Sequence, residues 1–93
     1  MAIAFNQGED TIEIGITVAM IGEEQEITVP GADAELMVSN LSLGSIFVSD
    51  TTGKGKAGLP IIKDYVVVTS NPGTLYLTAY GQGVVYITPG ASA

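Results

Sequence analysis

The sequence predicts a small all-β domain: an antiparallel β-sandwich or partly closed barrel of about seven strands, with an extended amino-terminal arm. Three observations predict it. Runs rich in Val, Ile, Leu and Tyr recur at intervals of about 8–12 residues, with Gly, Pro, Asn and Ser between them. Residues 11–21, TIEIGITVAMI, alternate with a period of two, as a strand with one buried face does. No segment carries a helical period long enough to matter.

The 93 residues suit one domain, divided here into an arm at 1–10, a sandwich domain at 11–90 and a tail at 91–93. A chain this short buries roughly 60–65% of the surface it exposes when unfolded, so oligomerisation or docking on a larger body would supplement its stability.

In the arm, Ile3 and Phe5 lie on one side of a would-be strand before the polar stop Asn6-Gln7-Gly8, which makes them candidates for a latch onto a neighbour. In residues 11–21, Ile12, Ile14, Ile16, Val18 and Met20 face one way, and Gly15 weakens the strand or marks a bulge. Gly22-Glu23-Glu24 reads as a turn into a second strand at 25–29, and the two strands as a hairpin. Pro30-Gly31 stops that strand, and residues 32–34 form a connection that could hold a short helical turn. Residues 35–39 and 45–49 are the third and fourth strands. Residues 50–60, DTTGKGKAGLP, form a loop expected to be mobile at its tip. Ile61-Ile62-Lys63 leads into residues 64–88, which read as three strands around Asn71-Pro72-Gly73 and Gly81-Gln82-Gly83. At the first of these turns Pro presets φ and Gly supplies the positive φ of a type II turn.

Composition narrows the chemistry. There is no Cys, so neither a disulfide framework nor thiol chemistry arises, and the chain suits a reducing cytoplasm. There is no His, the commonest general base and metal ligand. The net charge is -7, and residues 1–35 hold eight acids and no Lys or Arg. Such a field repels phosphate, so nucleic acid is not an expected partner. The acidic third could instead complement a basic partner surface or keep the chain soluble. No apolar run reaches the roughly 18–20 residues of a membrane span, and the amino terminus lacks the order of a signal peptide, so no membrane association is expected.

Each motif has a plain alternative. Gly53-Lys54-Gly55-Lys56-Ala57-Gly58 matches G-x-G-x-x-G, but Leu59-Pro60 follows where a dinucleotide site needs a helix. The segment reads as a hairpin loop whose Lys54 and Lys56 are candidates for contact with acidic groups on a partner protein. Glu23, Glu24 and Glu26 lack the ligand offsets of a calcium loop and read as a solvated turn. The serines have no His and no nucleophile elbow to activate them. Tyr76 and Tyr80 fall on one side of their strand, with Tyr86 in the next. They suit a core rim, a protein interface or a sugar-stacking platform. No catalytic residue, cofactor or metal ligand is expected, and the chain is read as a non-enzyme.

Within residues 36–88 a recurring layout stands out. An apolar strand ends in Val38-Ser39-Asn40-Leu41, and a second strand is Ile46-Phe47-Val48-Ser49. A Gly-rich loop closes on Gly58-Leu59-Pro60-Ile61, and Asp64-Tyr65 opens the next strand. Gly73-Thr74-Leu75-Tyr76-Leu77-Thr78-Ala79 and Val84-Val85-Tyr86-Ile87 complete it. This layout resembles the small β-sandwich virion proteins of tailed bacteriophages, particularly capsid decoration (cement) proteins. The resemblance implies a structural role on the virion surface, a major capsid protein as partner, and a homo-oligomer, trimer or dimer. The alternative is a receptor- or carbohydrate-binding module of a phage tail or head fibre.

Overall fold

The computed structural model describes residues 11–30 and 34–90. The arm with Ile3 and Phe5, the tail and most of the 32–34 connection lie outside the described residues.

Eight strands run in chain order: β1 (Ile12–Ile16), β2 (Glu24–Thr28), β3 (Glu35–Asn40), β4 (Ile46–Ser49), β5 (Leu59–Ile61), β6 (Val66–Ser70), β7 (Thr74–Ala79) and β8 (Gly83–Pro89). They form two four-stranded antiparallel sheets, ordered β1-β8-β3-β6 and β2-β7-β4-β5. The all-β expectation holds, and the sandwich is the right one of its two forms.

The pairing follows a simple rule. β1 pairs with β8, β2 with β7, β3 with β6 and β4 with β5. The chain is therefore one long antiparallel ribbon, folded over at the β4–β5 hairpin and wrapped so that β3 also meets β8 and β4 also meets β7. That wrapped ribbon is a jelly roll, an eight-stranded double sheet of two Greek keys.

Several expectations are corrected. Residues 11–21 are not one strand: β1 ends at Ile16 and Val18–Met20 form a 3-10 turn. This turn carries the chain from one sheet to the other, so Val18, expected inside, is 70% exposed while Met20 still packs on the core. β1 and β2 are consequently not a hairpin. The three strands of residues 64–88 alternate between sheets and share no single ladder. The eighth strand, β5, sits where a loop was expected, because Pro60 at its centre reads as a breaker. An edge strand tolerates that proline, since its missing N–H can face solvent.

The core lies between the sheets. Leu36, Val38, Val85 and Ile87 from one sheet are fully buried against Ile46, Leu77 and Ile61 from the other. Two buried asparagines close the ends. The Asn40 side chain, at the end of β3, donates to the Gly44 carbonyl at 2.8 Å and to the Ile61 carbonyl at 2.9 Å, which joins the sheets. Its Oδ1 accepts from the Ser42 N–H at 3.0 Å and the Ser42 hydroxyl at 2.6 Å. Asn71, at the other end, donates to the Pro30 carbonyl at 2.8 Å and accepts from the Gly73 N–H at 2.8 Å. Gly73 has φ 88°, the positive value expected of this turn.

Candidate functional site

β7 positions the two candidate tyrosines. Leu75, Leu77 and Ala79 alternate into the core, so Tyr76 and Thr78 point outward, and Tyr80 follows at the strand's end. Register places Glu26, Tyr76 and Ser49 in one row across this outer face, and Glu24, Thr78 and Phe47 in the next. The Tyr80 ring meets Phe47 edge-on, with centroids 5.7 Å apart. Tyr86 lies on β8 in the opposite sheet, so the structure does not gather Tyr76, Tyr80 and Tyr86 into one platform.

The Gly-rich loop folds back over this face. Glu24 accepts from the Thr52 hydroxyl at 2.6 Å and from the Gly53 N–H at 2.9 Å, which pins the loop's tip to β2. These hydrogen bonds, Thr52 first, hold the Glu24 carboxyl below its ordinary pKa. The Lys56 ammonium stands 4.9 Å from the centre of the Tyr80 ring. Thr78 is 5% exposed although it points outward. At the loop's base, a Cβ on Gly58 would come within 2.7 Å of the Val48 carbonyl, so this glycine is needed for close approach. The segment Gly55–Ala57 is a short 3-10 turn with no helix after it, as the hairpin reading of G-x-G-x-x-G requires. The Tyr76 hydroxyl is pushed above its ordinary pKa, first by burial, then by the negative charges of Glu26 and Glu24.

Lys54 takes a different direction from Lys56. With Asp50 it borders a cleft of about 490 Å³ between β5 and β6, lined also by Val48, Leu59, Thr69, Ser70 and Leu75. The Asn71 amide at this rim is already spent on the Val29 and Pro30 carbonyls. The structure thus keeps Lys56, Tyr80 and Tyr76 on one face, sets Lys54 at its border, and leaves Ile3 and Phe5 outside the described residues. Among the described residues no three His, Cys, Asp or Glu side chains gather as a metal site. No helix among them is long and apolar enough to cross a membrane.

Sequence reasoning read Glu24 as part of a solvated turn and quoted Asn40 only as a strand residue. The loop-anchoring role of Glu24 and the sheet-tying role of Asn40 rest on Thr52, Gly53 and Ile61, over twenty residues away in sequence.

The class defined by fold and surface is a jelly-roll sandwich with one loop-covered sheet face. Comparison with family models, with curated proteins and with solved structures finds no match for this chain.

Proposed function

We propose that this chain is a structural virion protein, a decoration protein that binds the outer surface of a phage head and stabilises capsomer contacts. The observation that carries the reading is the protein's apolar surface. Leu43 is 68% exposed, Tyr65 61%, Ile62 57% and Leu41 51%. Side chains of this kind over a small, charge-poor domain suit a protein that works while covered by a larger body. The jelly roll supports the reading by analogy, since viral capsid proteins use it; lectin domains use it too. Binding of this kind strengthens a shell by mass action and needs no reaction.

The test is co-sedimentation of the purified chain with phage heads stripped of decoration, read together with the heat stability of the heads. Saturable binding that raises the disruption temperature is the expected result. Removal of residues 1–8 should weaken it, and full occupancy by the truncated chain would show that the arm is not the clasp. Failure of the full chain to bind heads sinks the proposal.

The carbohydrate-binding alternative is favoured by one observation, the outer-face tyrosines beside the Glu24 and Glu26 carboxylates. Lys56 already occupies a face of the Tyr80 ring, which disfavours sugar stacking there. A glycan-array signal lost on Tyr76→Ala would support this alternative against the decoration reading.

A further inference from the structure

We infer that the free edge of β6 is a self-pairing surface, on which a second copy of this chain adds its own β6 antiparallel about a two-fold axis at Val68.

Among the described residues, four strand edges have no strand beside them: β1, β6, β2 and β5. Exposed edges invite pairing, and proteins blunt them with charge, proline, glycine-bearing bulges or shortness. β2 carries Glu24 and Glu26, and β1 carries Glu13 and Gly15. β5 is three residues long with Pro60 at its centre. β6, Val66-Val67-Val68-Thr69-Ser70, has none of these devices.

The hydrogen-bond phase makes the edge specific. The Asn40 N–H donates to the Tyr65 carbonyl and the Asn71 N–H to the Ala34 carbonyl, at the two ends of the β3–β6 ladder. In an antiparallel pair, bonded residues alternate. Tyr65, Val67, Thr69 and Asn71 therefore turn their backbone groups toward β3, and Val66, Val68 and Ser70 turn theirs outward. A second β6 laid antiparallel about Val68 sets Val68 opposite Val68, and Val66 opposite Ser70. Every outward N–H and carbonyl then finds a partner. This is the isologous geometry of a two-fold dimer, and the joined sheets run continuously through both copies.

Side chains and charge agree. Val66 is 53% exposed and Val68 48%, and both extend the row that Ser39 and Met37 begin on the same face. β6 itself carries no charged residue, and on β3 Glu35, opposite Ser70 at the end of the ladder, is the single charge, so the two-fold axis at Val68 brings no like charges face to face. A contact one strand wide makes a weak dimer in solution, which many copies held on one surface would strengthen through effective concentration.

Sedimentation equilibrium of the full chain up to millimolar concentration should show a mass rising from 9.6 kDa toward twice that value. Val68→Lys places two ammonium groups at the axis and should return the mass to 9.6 kDa at all concentrations. Amide exchange of the wild-type chain needs no variant. The N–H groups of Val66, Val68 and Ser70 should exchange slowly only at high concentration. A wild-type chain that stays monomeric, a Val68→Lys chain that dimerises like the wild type, or concentration-dependent protection at Glu24–Thr28 instead, overturns the inference. None of these outcomes bears on head binding, so this inference and the decoration reading fail separately.

Discussion

Asn40 is a buried polar residue that bridges the two sheets. Its amide satisfies carbonyls in the loop after β3 and in β5 of the facing sheet, and its Oδ1 receives both polar hydrogens of Ser42. Replacement by Ala removes the Asn40 bonds to the Ser42 N–H and the Ile61 carbonyl, each loss costing about 1–3 kcal/mol, while the Ser42 hydroxyl and the Gly44 carbonyl keep each other at 3.0 Å. Asn40→Ala should lose roughly 2–4 kcal/mol in urea unfolding with an unchanged m-value. Glu24 acts through charge instead. Its folded pKa lies below its unfolded one, so its stabilisation is complete above the unfolded value and fades as pH falls through the folded value. Glu24→Gln should therefore melt below wild type near neutrality, and the gap should close as pH falls from the ordinary carboxylate range to below it. A gap that stays constant with pH would show that the carboxylate charge plays no part in pinning the loop.

At the scale of elements, the edges decide behaviour. β5 is guarded by Pro60 and β2 by its glutamates, while β6 lies open. Pro60→Val gives β5 an added N–H and a β-branched side chain, and so removes that guard. It should increase light scattering and oligomer mass without loss of secondary structure, as checked by size exclusion with light scattering and far-UV circular dichroism. The loop ahead of β5 has a second role. Through its contacts with Glu24 and Tyr80 it covers the outer face of its sheet beside Thr78, which is buried.

For the whole molecule, topology dominates. β1 with β8 and β2 with β7 join residues from opposite ends of the chain, and only β4 and β5 meet through a local hairpin. Closing such distant pairs costs entropy before contacts repay it, so refolding should fall in the millisecond-to-second range of non-local β proteins. Stopped-flow fluorescence of the tyrosines checks this, and a microsecond phase carrying the full amplitude would contradict it. The same wrapping leaves apolar side chains at the Leu41–Leu43 loop and along β6, where the proposed partners are a capsid surface and a second copy.

The sequence by itself determined the class of fold. Alternation in Ile12-Glu13-Ile14, the valines of β6 and β8, and the Asn71-Pro72-Gly73 turn are local signals, and every strand but β5 announces itself through its own side chains. The positive φ of Gly73 and the hairpin reading of the Gly-rich loop were legible for the same reason. Tertiary structure alone decided which strands pair. Val18 continues the pattern of β1 yet lies outside, because the chain leaves its sheet at Ile16, and no periodicity records that departure. Pro60 hid β5, since only an edge position makes a proline compatible with a strand. Tyr76 and Tyr86 look alike in sequence and fall on opposite sides of the molecule, because the sheet each joins is set by partners across the chain. Side-chain period is a property of neighbours in sequence, whereas sheet order, buried bridges such as Asn40 to Ile61 and the open edge of β6 are set by neighbours in space.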